Sequence, residues 1–353
     1  MLQVTALQIT HCCLMSDRVF LMSKKTETKE KKEKIIIPFS EIERGDRFNE
    51  IQPETLPKFN PEEFCSISDE EVRDLVNRIK ESVLPLIADM MKIPHIYKGI
   101  MATDLFSLNT LLGSTVEVAV VSFLNENRDL WDKDRQWVDC RFVRSSEFFP
   151  DVRLVNKATG NIVFGIELKS WFLISKEGEP SFRYRTASKA CSPADLICVL
   201  PWYLSDAVSG NPVLIKPWVY PAKAASEYCK RYWMYRKTDV PLNFDERSVT
   251  EPGDIVLYSN NREKANYMPK KDSSNNFGRL ARTGLLDGFV SESLETDILG
   301  IPAKNWMRFL KIHTDQKSLS AIQKEIDRIV EIPKSEEFCR LIEELGKYIN
   351  MLK

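Results

Sequence analysis

Histidine is scarce in this chain: His11, His95 and His313 are the only three among 353 residues. The eight cysteines (Cys12, Cys13, Cys65, Cys140, Cys191, Cys198, Cys229 and Cys339) include no CxxC pair. A zinc site is therefore not expected, because its ligand spacing is missing. Cys198 sits in the apolar run Leu196-Ile197-Cys198-Val199-Leu200. That setting reads as a reduced core thiol of a cytoplasmic protein. No stretch approaches the roughly 20 apolar residues that cross a bilayer, so no membrane association is expected. Excess charge is missing too. Lys and Arg total 50 against 51 Asp and Glu, a net charge of −1. This gives no global pull toward nucleic acid but leaves room for a local basic cleft.

The chain opens without the marks of a signal peptide. Met1 to Met22 lacks a basic leading region and a small-residue cleavage site, and it carries His11, Asp17 and Arg18. Ser23 to Lys34 is a Lys/Glu/Thr run that cannot bury a core. Residues 1–34 are accordingly read as a disordered arm, or as sequence upstream of a true start at Met15 or Met22. Residues 35–315 form the expected main domain, and 316–353 two helices packed on it. The balance of 43% hydrophobic and 29% charged residues suits a soluble globular protein.

Within the main domain, Ser68-Asp69-Glu70-Glu71 opens a helix carrying Val72, Leu75, Val76, Ile79 and Val83 at helical spacing. A second helix is expected over Asp104 to Asn127, with Leu105, Leu108, Leu112, Val116, Val120, Phe123 and Leu124 on its apolar face. Short β-branched and aromatic runs follow at Trp137–Val143, Val152–Val155, Ile162–Leu173 and Asp195–Pro201. Gly160-Asn161 marks a turn between the second and third. A short helix precedes the fourth strand, and Lys223–Arg236 follows as a helix. One further strand-like run, Asp254–Tyr258, stands in a polar stretch. The closing helices fall around Leu319–Val330 and Ser335–Leu352. No internal repeat is present. The fold class is α/β.

One constellation carries chemistry: Pro150-Asp151, fifteen intervening residues, then Glu167-Leu168-Lys169. In an alternating strand Ile162, Phe164, Ile166 and Leu168 share one face, and Val163, Gly165, Glu167 and Lys169 the other. Glu167 and Lys169 therefore project together, and a hairpin turned at Gly160-Asn161 returns Asp151 beside Glu167. Two neighbouring carboxylates repel, and a divalent cation removes the conflict by using both as hard oxygen ligands. Such a cation activates water and stabilises charge on a phosphoryl oxygen. Lys169 would orient or deprotonate that water and screen the phosphate. Pro-Asp and Glu-x-Lys each occur by chance; their spacing, strand context and flanking helices distinguish them here.

These residues resemble the PD-(D/E)XK nuclease superfamily, the restriction-endonuclease-like fold, over roughly Asp104 to Arg236. The resemblance implies an αβββαβ core, a mixed sheet flanked by helices, with C-terminal helical additions. It implies Mg²⁺ as cofactor and a metal shell that Glu117, on the helix before the first strand, joins with Asp151 and Glu167. The wider chain looks most like a type II restriction endonuclease. That implies double-stranded DNA as substrate, a homodimer, and a cognate DNA methyltransferase in the same restriction system. A repair or recombination nuclease of the same fold and a catalytically inert DNA-binding protein are the alternatives, the second disfavoured by the intact triad. Arg183, Arg185 and Lys189 follow the catalytic strand and are candidates for phosphate contact. From Lys216 to Arg282 thirteen Lys/Arg stand against eight Asp/Glu. Arg279 and Arg282 in this basic stretch are the remaining candidates for a DNA-facing surface.

Overall fold

The computed structural model describes residues 59–98, 108–145, 147–235, 249–269 and 277–314, with positions 320, 323 and 324. All belong to the larger of two units into which the chain divides, Arg44–Lys353. The expected arm over 1–34 lies outside these residues. So do the expected closing helices, apart from the three isolated positions.

Helix α1, Glu70–Arg78, begins as its acid-rich start suggests, but Asp69 rather than Ser68 is the cap. The Asp69 carboxylate accepts from the Val72 N–H at 3.1 Å, satisfying one of the donors that a helix start leaves open. Leu75, Val76, Ile79 and Val83 are buried, the last two in a π-helical turn that continues α1. Helix α2, Leu108–Glu126, buries the expected stripe of Leu112, Val116, Val120, Phe123 and Leu124.

The sheet has six strands: β1 Cys140–Arg144, β2 Val152–Asn156, β3 Ile162–Phe172, β4 Leu196–Leu204, β5 Pro212–Leu214 and β6 Trp218–Pro221. The order is β1-β2-β3-β4-β5, with β6 also paired to β4. β1, β2 and β3 form an antiparallel meander, while β4 runs parallel to β3, so the sheet is mixed. β1 is shorter at its start than the expected Trp137–Val143. The Trp137 N–H donates to Asp132 at 3.0 Å, and its carbonyl accepts from Arg128 at 2.7 Å, which removes it from the ladder. The expected turn at Gly160-Asn161 is present. Gly160 has φ +75°, and the Asn156 side chain accepts from the Ala158 and Thr159 N–H groups at 2.9 and 3.1 Å.

The connection from β3 to β4 carries a single 3₁₀ turn, Ser188–Ala190, where a short helix was expected. Helix α3, Ala222–Tyr235, follows β6 and packs on β4 and β6. The run 254–258 is not a strand; it forms turns, with Val256 and Leu257 exposed. Tyr258 takes a left-handed φ of 54°, breaking any extended path. Two further helices, α4 Asp287–Leu294 and α5 Ala303–Thr314, lie in a region the sequence reading left loose. Cys140, Cys191, Cys198 and Cys229 are buried free thiols. No helix among the described residues is long and apolar enough to cross a membrane.

Candidate active site

Sheet register decides which side chains share a face. Val152 pairs with Ile166, so one step further along the same register Asp151 stands opposite Glu167. Phe142, Leu154, Phe164, Ile166 and Leu168 form the buried face beneath α2, where Ser170 meets Gly113. Asp151, Gly165, Glu167 and Lys169 occupy the other face. Alternation had suggested as much, but this face is covered as well: Glu167 is only 8% exposed. β3 is a central strand, flanked by β2 and β4, so its charged pair is not a solvated edge feature.

Lys169 draws the two carboxylates together. Its Nζ donates to Glu167 Oε1 at 2.7 Å and to Asp151 Oδ2 at 3.3 Å. Asp151 Oδ2 also accepts from the Leu168 N–H at 2.9 Å, tying the start of β2 to the backbone between Glu167 and Lys169. Glu167 Oε2 is buried and accepts no hydrogen bond of ordinary geometry, although the Asp151 backbone lies close enough to pull the carboxyl pKa down. Burial, and then Asp151, raise the Glu167 pKa against the opposing pull of Lys169. Burial alone would lower the Lys169 pKa; Glu167 and Asp151 outweigh it, and the ammonium holds its proton more tightly than a free lysine. Lys169 thus contacts both carboxylates, and the Arg153 guanidinium lies in the field of the same pair. Burial and then Cys191 and Glu167 push the nearby Tyr184 hydroxyl well up. That hydroxyl donates to the Ala222 carbonyl at 3.0 Å.

Glu117 does not join this cluster. Its Oε2 accepts from Arg144 Nη2 at 2.8 Å and Nε at 2.9 Å. Arg144 alternates with Phe142 and Cys140, on the face that α2 covers, so Glu117 is held on the opposite layer from Glu167 and Lys169. Among the described residues no group of three or more His, Cys, Asp or Glu is arranged to hold a metal ion. The two carboxylates remain a fitting pair of hard oxygen donors. Mg²⁺ is commonly held by one or two protein carboxylates, with water and phosphate oxygens completing its shell. The unpartnered Glu167 Oε2 is the observation that fits such a cation.

The basic candidates divide. Arg279 is paired with Glu177, and Arg282 with Glu179 at 2.6 Å, so both tie the loop after β3 to the 3₁₀ turn Leu280–Thr283. Arg183 and Lys189 are exposed. Arg185 is half-buried, with its stem against Gly278 and its guanidinium at Met268.

Residues the sequence did not single out support the site. Asp195, fully buried, accepts from the N–H of Gly165 at 2.7 Å, the N–H of Ser192 at 2.7 Å and the hydroxyl of Tyr258 at 2.8 Å. Burial pushes its carboxyl up to about 7, against these donors. Arg153 donates to the Phe149 carbonyl at 2.8 Å, just ahead of Pro150-Asp151. The Asp195 cluster has one local signal, the Ser192-Pro193 break before β4. Its tie to Tyr258 spans 63 residues and has none. No family model, curated protein or solved structure matches this chain.

Proposed function

We propose that this chain is a Mg²⁺-dependent endonuclease that hydrolyses DNA phosphodiester bonds, with a restriction-endonuclease-like core. The observation that carries the reading is the convergence of Asp151 and Glu167 on Lys169 across β2 and β3. Asp151 and Glu167 would hold the cation, which supplies Lewis-acid stabilisation of the phosphoryl charge when bound. Lys169 keeps its proton at neutral pH, so its Nζ donates rather than abstracts. Released from the carboxylates, it can orient water or neutralise a phosphate oxygen. Burial of Glu167 excludes competing water and strengthens each of these electrostatic contacts. Glu117 has no part in the shell on this reading, because Arg144 already takes its carboxylate.

The biological setting we propose is a type II restriction enzyme in the cytoplasm. It would act on double-stranded DNA as a homodimer, beside a cognate methyltransferase. One active site per chain and two strands to cut support the dimer.

The test is cleavage of unmethylated plasmid DNA in Mg²⁺. Asp151→Ala, Glu167→Ala and Lys169→Ala should each lose about 100- to 1,000-fold in rate with the fold intact, the scale seen when a transition-state charge contact is removed. Ca²⁺ should support DNA binding without turnover. Wild-type activity of Glu167→Ala in Mg²⁺ would sink the assignment. Discrete fragments support restriction. A smear, or cutting only of branched or single-stranded DNA, favours a repair or recombination nuclease.

A further inference from the structure

Gly165 lies on β3 two residues before Glu167 and on the same face. Its φ is not in the left-handed region, so glycine is not required there for backbone reasons. It is required for space. A Cβ at this position would lie 1.9 Å from Pro150 Cγ, 2.8 Å from Cβ and 3.2 Å from Cδ. The proline ring fills the volume a side chain would take, and Pro150 immediately precedes Asp151.

We propose that Gly165 and Pro150 form a spacer that positions Asp151 against Glu167. Each side of the spacer is anchored. Gly165 is held by its N–H to the buried Asp195 at 2.7 Å, one residue before β4 joins β3. The chain ahead of Pro150 is held by Arg153, which donates to the carbonyls of Phe149 at 2.8 Å and Phe148 at 3.4 Å. With both anchored, contact between ring and bare backbone determines how closely Asp151 approaches β3. Asp151 Oδ2 then lands on the Leu168 N–H and Lys169 Nζ. A methyl group on residue 165 must push the ring back by roughly 1.6 Å to restore an ordinary contact of about 3.5 Å. The ring cannot swing aside like a flexible side chain, because Cδ is bonded to the backbone nitrogen. Asp151 moves with it. In an active site a displacement near 1 Å is enough for about a 100-fold loss.

This inference rests on the nuclease reading for its rate effect but not for its structural effect. The experiment therefore reads both, in Gly165→Ala, Pro150→Ala and the double variant. The structural readout is the Lys169 ammonium, followed by ¹⁵N NMR of the side chain and by the Asp151–Lys169 contact in crystals. We expect Gly165→Ala to lose that contact and about 100-fold in kcat, with KM for DNA little changed. The double variant should recover part of the contact and about 10-fold of the rate, because the 1.9 Å approach to Cγ is gone while the 2.8 Å approach to Cβ still asks for a smaller shift. A Gly165→Ala protein with the Lys169 contact intact overturns the spacer. So does a double variant no better than the single one. If Gly165→Ala does not fold, Pro150→Ala decides: a loosened Lys169 signal supports the proposal, and a wild-type signal overturns it. A wild-type protein that cuts no DNA ends the nuclease reading and leaves the Lys169 readout to judge the spacer.

Discussion

Replacing Lys169 with Met keeps the length of the side chain and removes the cation that contacts both carboxylates. Glu167 is 8% exposed and already has one oxygen without a partner. Removing Lys169 takes away its 2.7 Å contact as well. Breaking a buried ion pair from one side costs about 3 kcal/mol or more, because the remaining charge is buried alone. At roughly 2 °C per kcal/mol for a large domain, the melting temperature at pH 7.5 should fall by about 6 °C. The loss should depend on pH in a definite sense. Burial holds the folded pKa of Glu167 above its unfolded value of about 4.3, and Lys169 is the main influence pulling it back down. Without Lys169 the folded value rises further. The folded variant then binds a proton that the unfolded chain does not. Its stability is fullest below the unfolded value and is lost as pH rises through the folded value. Between those limits the slope is about 1.4 kcal/mol per pH unit for one proton. Urea unfolding of both proteins at pH 5, 6, 7 and 8 measures it. The wild-type carboxyl is already raised to about 7, so the gap between Lys169→Met and wild type should be flat from pH 5 to about 7 and widen toward pH 8. A gap constant across that range, or a variant as stable as wild type at pH 7.5, would refute the account of Lys169 as the counter-charge of a buried carboxylate.

Two other expectations concern charges placed elsewhere. Glu117→Ala removes a partly exposed pair with Arg144 and should cost about 0.5 kcal/mol, with cleavage within about threefold of wild type. A 100-fold loss of cleavage in a fully folded variant would return Glu117 to the metal shell. Arg282→Ala strands Glu179, which is 4% exposed, and should lower stability by about 2 kcal/mol in thermal unfolding, whereas Arg279→Ala, facing the more exposed Glu177, should lose about 1 kcal/mol. The salt dependence of DNA binding should be unchanged in both, since neither guanidinium is available to a phosphate; a shallower salt slope in either variant would show otherwise.

Local chemistry was enough to read much of this protein from its sequence. The alternation Ile162, Phe164, Ile166, Leu168 named the buried face of β3, because side-chain period in a strand is a property of the backbone itself. The stripe Leu112 to Leu124 named the buried face of α2 for the corresponding reason. Gly160-Asn161 marked the hairpin that brings Asp151 back to Glu167, and this carboxylate pair with Lys169 was legible as a cluster in the sequence. What the sequence could not decide was distance across elements. Glu117 and Arg144 are 27 residues apart, and their pairing depends on the packing of α2 on β1. Arg279 reaches Glu177 over 102 residues, so this member of a basic stretch that reads as a DNA surface is held in an ion pair that the sequence does not announce. Tyr258, at φ 54°, bonds Asp195 across 63 residues, where an apolar run had suggested a strand. The bare face of Gly165 likewise acquires meaning from Pro150, a residue on another strand's approach that alternation cannot see. Pattern determines which way a side chain points; only tertiary packing determines what it meets there, because the partner arrives from elsewhere in the chain.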